Sequence, residues 1–132
     1  MDKEQHDLLK NFYDALDRDD VDAAMGLCDE TVEVYQSPEV VATLPARGHR
    51  DVAKYLHGWY ESWHAYSPQP TEFIESGDQV VVMVELKARG KGSRFEIEER
   101  MADVFTLKNG KISMLRLYVE PKVALRSAGI SR

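Results

Sequence analysis

Between residues 94 and 107 the chain reads RFEIEERMADVFTL, and its side chains sort into two rows at a period of two. Phe95, Ile97, Glu99, Met101, Asp103, Phe105 and Leu107 form one row. Arg94, Glu96, Glu98, Arg100, Ala102, Val104 and Thr106 form the other. Successive side chains of a strand point to opposite faces. The segment therefore predicts a strand with one apolar face, into which the carboxylates of Glu99 and Asp103 are set. A carboxylate on a core-facing row must be paired, hydrogen-bonded, protonated or open to a wet cavity. For Glu99, a salt bridge or a bulge that shifts the register stands beside the cavity role. For Asp103, the parity favours a place in a cavity wall.

The segments on either side say what surrounds that strand. Upstream the period is helical: Leu8, Leu9, Phe12, Tyr13 and Leu16 make one apolar stripe on a helix over 3–17. Asp19 or Asp20 can cap a second, short helix over 21–28. A strand follows over 31–36, ending at Gln36. Residues 37–47 carry Pro38 and Pro45 around an apolar Val40-Val41, which predicts a loop with the character of a partly buried flap. A third helix over 49–66 presents Val52, Tyr55, Leu56, Trp59, Tyr60 and Trp63, a stripe of rings with polar tips suited to a pocket wall. Pro68 and Pro70 are expected to end it.

From there the period is two. Strands are expected over 71–75, 79–89 and 111–120, with Gly77-Asp78, Gly90-Lys91-Gly92 and Asn109-Gly110 as turns. Asn-Gly is the clearest hairpin signal. Both faces of the last strand carry apolar residues, with Ile112, Met114, Arg116 and Tyr118 opposite Ser113, Leu115, Leu117 and Val119. One face suits a cavity and the other a helix or a second subunit. Helices first and strands afterwards predict an α+β fold, with three helices laid over one face of a curved antiparallel sheet. The expected organisation is one domain over 1–132, with a core of about 8–120 and a loosely held tail at 121–132.

Composition closes off several functions. The 17 basic and 23 acidic residues leave a net charge of −6, the wrong sign for a nucleic-acid footprint. No apolar run reaches the roughly 20 residues of a membrane span, and the polar start MDKEQHD is no signal peptide. Cys28, the one cysteine, reads as a buried, inert thiol in a reducing, cytoplasmic setting. His6, His49, His57 and His64 are scattered without ligand spacing, so no metal site is expected. The residues left for chemistry are Asp103 and Glu99 on the long strand, Gln36 on the first strand, Tyr13 on the first helix, and Tyr55 and Trp59 on the third. A mostly apolar cavity with a few convergent polar groups is the usual form of a small-molecule site. Inward carboxylates there acquire raised pKa values suited to acid–base work near neutral pH.

Three segments, FYDALDRDDVDAAMGLCDETVEVYQ, ARGHRDVAKYL and ADVFTLKNGKISMLRLY, resemble the nuclear transport factor two-like superfamily in its SnoaL-like branch. The resemblance runs from about residue 8 to residue 119. It implies a conical barrel, or cystatin-like roll, in which a strongly curved antiparallel sheet is wrapped by three helices and pairs through the sheet as a homodimer. Members include ketosteroid isomerase, SnoaL-like polyketide cyclases, limonene epoxide hydrolase and scytalone dehydratase, together with binding proteins that carry no activity. The resemblance implies a proton-handling role for Asp103, which stands where the isomerase carries a hydrogen-bond-donating acid and where the cyclases carry their acid. The isomerase's general base falls on Gln36, which takes no proton. Its oxyanion tyrosine falls on Phe12, with Tyr13 one step along the helix. Steroid isomerisation is therefore disfavoured.

Two functions follow as expectations. One is a cofactor-independent isomerase, cyclase, dehydratase or hydrolase acting on a small apolar, polyketide-like or steroid-like molecule. Asp103 would be its acid or base and Glu99 would tune that acid or position a water. Gln36 would hydrogen-bond the substrate, with Phe12, Tyr13, Tyr55, Trp59 and Met101 around it. The other is a non-catalytic ligand-binding or dimeric scaffold domain of the same fold.

Overall fold

The computed structural model describes residues 1–36 and 45–131. The flap expected around Val40-Val41 lies outside the described residues. Helix α1 (Lys3–Asp17) starts where the Asp2 side chain accepts from the Gln5 N–H, and α2 (Val21–Gly26) where Asp20 accepts from the Ala23 N–H. Strand β1 (Cys28–Gln36), the short β2 (Ala46–Arg47) and α3 (Gly48–Glu61) follow. The remaining elements are β3 (Trp63–Ser76), β4 (Gln79–Gly90), β5 (Ile97–Lys108), β6 (Lys111–Tyr118) and α4 (Pro121–Ser127).

The six strands form one sheet in the order β2-β1-β6-β5-β4-β3, antiparallel except where β1 lies parallel to β6. Asn109 and Gly110 both take positive φ (52° and 75°) in the two-residue link between Lys108 and Lys111. That is the type I′ turn the Asn-Gly pair predicts, because its twist matches that of the flanking strands. The curved sheet with its N-terminal helices is the expected α+β cone.

Two layers of apolar side chains sort by strand parity except at a bulge in β6. There the register shifts between Thr106↔Met114 and Leu107↔Ile112 and turns Ile112 to the concave side, away from the row of Met114, Arg116 and Tyr118 expected for it. Val80, Val82, Val84, Phe105, Ile112 and Leu115 face α1, α2 and α3 on the concave side, against Leu9, Phe12, Tyr13, Met25, Val52 and Leu56. Val81, Ala102, Val104 and Tyr118 face the convex side, where Ala124, Leu125 and Ala128 of the C-terminal segment cover them.

Three expectations are corrected here. The third helix stops at Glu61, and Trp63 through Tyr66 open β3 instead. Hydrogen bonding along the twelve-residue β4, together with the strand preference of the aromatics, outweighs the helical spacing of the rings. Pro68 and Pro70 sit within β3 because it is an edge strand, where a missing N–H costs no ladder bond. Second, β5 begins at Ile97, not residue 94; Phe95 is 80% exposed and belongs to the irregular link between the turn and the strand. Third, the tail is not loose. Pro121 occupies the first turn of α4, and Gly129 (φ 75°) closes it while the Ile130 N–H returns to the Leu125 carbonyl at 2.9 Å. This is a Schellman ending, with Ile130 packed onto the cluster it closes.

Candidate active site

The concave face and the helices enclose a cavity of about 180 Å³. Phe12, Tyr13 and Leu16 of α1 enter it from one side, and Tyr55, Leu56, Trp59 and Tyr60 of α3 from another. Strands supply Val34 and Gln36, Tyr66 and Pro68, Val84 and Leu86, Met101 and Asp103, and Leu115 and Leu117. The wall is apolar apart from a few groups, which makes those groups the chemistry of the site.

Asp103 is central among them. Its register partners are Val82 on β4 and Leu117 on β6, so it stands on the concave row between two apolar neighbours. The Tyr13 hydroxyl donates to its Oδ2 at 2.5 Å, joining the first helix to the middle of the sheet. No second donor reaches the carboxylate among the described residues. Burial pushes its pKa from 3.8 up to about 6, against the pull of the Tyr13 hydrogen bond, which favours the charged form. At neutral pH the group is a carboxylate held at a cost, close to the point of taking a proton.

The phenols around it are held in their neutral forms. Tyr13 is fully buried, and burial followed by the Asp103 charge raises its pKa well above the usual tyrosine range. Burial and the Asp103 charge also raise Tyr66, on β3. A second polar pair sits nearby: the Gln36 amide donates to the Tyr55 hydroxyl at 2.6 Å. Tyr55 is raised by burial, with the Gln36 hydrogen bond acting in the opposite direction. Tyr60 anchors α3 to the end of α1 by donating to the Leu16 carbonyl at 2.5 Å. Its ring, Trp59 and Tyr66 form edge-to-face contacts at centroid distances of 5.8 Å.

Of the residues singled out from sequence, Asp103, Gln36, Phe12, Tyr13, Tyr55, Trp59 and Met101 all line the cavity. Glu99 does not. It shares the row by register, opposite Leu86, but is exposed. The pairing of β5 with β6 ends at Ala102 and Tyr118, so residues 97–100 run past the last β6 partner and out of the enclosed part of the cone. Glu99 has no place at the cavity and no role in setting the Asp103 pKa. The sequence reading missed Tyr66, because it placed that ring at the end of a helix. Alternation of Tyr66 with Pro68 on one face of β3 was the available signal.

Among the described residues no cluster of three or more His, Cys, Asp or Glu could hold a metal ion, and no helix is long and apolar enough to cross a membrane.

Comparison with known proteins agrees with this architecture. No curated protein matches the chain in sequence. Solved structures do. An NTF2-like protein of unknown function from Burkholderia pseudomallei superposes with a TM-score of 0.79 at 17% identity, covering 95% of this chain and 97% of that one. A protein with a ketosteroid isomerase-like fold from Catenulispora acidiphila, in complex with trimethylamine, gives 0.77 at 13% identity over 94% and 93%. TerC, co-crystallised with polyporic acid, gives 0.76 at 17% identity over 96% and 98%. Likeness at these identities speaks for the fold alone. The match to the SnoaL-like domain, over residues 9–114, goes further, and by it the chain belongs to the SnoaL-like domain family.

Proposed function

We propose that the protein is an acid–base enzyme acting on a small, largely apolar molecule held in the cone, with Asp103 as the proton-transfer group. The observation that carries this reading is one carboxylate, hydrogen-bonded by a single phenol and raised to about 6, in a wall that is mostly apolar and whose other polar groups among the described residues are uncharged. A group whose pKa lies near the working pH both takes and returns a proton readily. Tyr13 fixes the carboxylate's orientation. Gln36 and Tyr55 offer an amide and a hydroxyl to a polar atom of the ligand. Reaction types consistent with one such group are isomerisation, cyclisation, dehydration and hydrolysis. Structural relatives with trimethylamine and polyporic acid bound support small organic molecules as the ligand class.

A second reading, a ligand-holding domain without catalysis, draws on Gln36, an amide that binds without moving protons. We further read the protein as a cytoplasmic homodimer formed through the convex face of the sheet. There α4 leaves Tyr35, Met114 and Arg116 only part-buried, and the Arg116 Nε has no partner among the described residues.

A carbon-acid probe separates enzyme from holder. In 5-nitrobenzisoxazole a base takes the ring C–H proton, the N–O bond breaks, and a coloured phenolate leaves. The expected rate follows ionisation of a group at about pH 6 and falls at least about a hundredfold in Asp103→Asn. Glu99→Gln is expected to leave it unchanged. A rate that Asp103→Asn does not alter refutes the catalytic reading.

A further inference from the structure

The cavity has a charge sign as well as a shape. Among the described residues its only ionised group at neutral pH is the Asp103 carboxylate, because the rest of the lining includes no aspartate, glutamate, lysine, arginine or histidine. One of the two carboxylate oxygens holds the Tyr13 hydroxyl, and no other donor reaches the group among the described residues. Around it stand the rings of Phe12, Tyr13, Tyr55, Trp59, Tyr60 and Tyr66. A buried anion without a counter-ion is costly, and aromatic rings attract a cation through their negative faces. These two features call for the same occupant.

We propose that the cavity selects small alkylammonium ions, whose charge pairs with Asp103 while their carbon groups fill the aromatic wall. The proposal rests on the reading of the cavity as a small-molecule site and names the charge class of what enters it. A neutral molecule of the same shape gains the packing but leaves the carboxylate alone. An anion of that shape meets a like charge in a poorly screened interior. Selection therefore runs in the order cation, neutral, anion.

The order depends on pH in a stated direction. Tyr13 faces Asp103 from α1, Tyr55 lies on the α3 side and Tyr66 on the β3 side, while the flanking strand positions are the apolar Val82 and Leu117. All three phenols are raised, so Asp103 is the group that titrates on the acid side. Protonating it removes the partner of the cation and the repulsion of the anion together.

Choline, 3,3-dimethylbutan-1-ol and 3,3-dimethylbutanoate have closely similar bulk and carry charges of +1, 0 and −1. Binding of each to the intact protein is read by calorimetry and by the combined fluorescence of Trp59 and Trp63. At about pH 8 choline is expected to bind at least about tenfold tighter than the alcohol, with the butanoate weakest. At about pH 5 the advantage of choline over the alcohol, neither of which titrates in this range, should close. In Asp103→Asn the advantage of choline over the alcohol disappears while the alcohol's own affinity stays. Should that variant fail to fold, the pH comparison in the unmodified protein decides. An alcohol that binds as tightly as choline at pH 8, a pH-independent ratio, or no choline binding up to about 10 mM overturns the proposal. Equal binding of alcohol and choline leaves the acid–base reading intact, whereas failure of the benzisoxazole assay leaves the charge order intact.

Discussion

Replacing Asp103 with asparagine should make this protein more stable at neutral pH, and the gain should vanish in acid. The reasoning begins with linkage. A carboxyl whose pKa is 3.8 in the unfolded chain and about 6 in the folded one binds more protons when folded. Its stabilising contribution is fully present below about pH 3.8 and is lost as the pH rises through about 6. The shift is roughly 2 pH units, and each unit corresponds to about 1.4 kcal/mol, so the ionised side chain costs about 3 kcal/mol at neutral pH. Asparagine keeps the shape and an acceptor for the Tyr13 hydroxyl while removing the charge. Its NH2 group offsets about 1 kcal/mol of the gain where it finds no acceptor. Urea unfolding of both proteins between about pH 4 and pH 8 measures the difference at each pH. The variant should lead by about 2 kcal/mol at pH 8, several degrees in Tm, and the lead should close towards pH 4. A difference that is flat with pH, or a variant that is less stable at pH 8 than at pH 4 relative to the parent, refutes the claim that burial holds this carboxyl up.

Further outcomes follow from the same geometry. Tyr13→Phe removes the one hydrogen bond that favours the carboxylate, so the Asp103 carboxyl should titrate above its present value of about 6 when followed by NMR; a fall would contradict the bond's direction. Leu125→Ala strips the largest aliphatic side chain from the α4 contact with the sheet, and should cost about 2 kcal/mol in urea unfolding. Sedimentation equilibrium at micromolar concentration should report about twice the 15.1 kDa chain mass, and Arg116→Glu should shift the equilibrium towards the single chain.

The fold was legible in the sequence wherever one period ran uninterrupted. The helical stripe on α1, the alternation in β4 and the Asn109-Gly110 turn each carry their own instruction, whereas in β6 a bulge breaks the alternation and turns Ile112 to the side of Leu115. Legibility failed where tertiary pairing overrode local spacing. Trp59, Tyr60 and Trp63 fall at helical intervals, yet Trp63 pairs with Gly90 across β3 and β4. Nothing local reveals that a strand twelve residues long waits for it. The error at α4 was of another kind, because the signal was present. Pro121 at one end and Gly129-Ile130 at the other are the usual start and stop of a short helix, and Val123, Ala124 and Leu125 between them supply what it buries.

Glu99 and Asp103 show why parity alone leaves a site half determined. Both lie on the concave row of β5, four residues apart, and at a period of two nothing distinguishes them. The difference is supplied by neighbours distant in sequence. Asp103 has Leu117 on one side and Val82 on the other, with Tyr13 reaching across from α1. Among the described residues Glu99 has only Leu86 as a strand partner, because β6 ends at Tyr118. A carboxylate flanked on both sides loses its water and gains a raised pKa; one flanked on a single side keeps its water. The length of β6, set by Pro121 and the turn into α4, therefore decides which of two equivalent acids is buried in the cone. Moving a carboxylate two concave rows along β5, from position 103 past the cavity-lining Met101 to position 99, takes it out of the cone although its parity is unchanged.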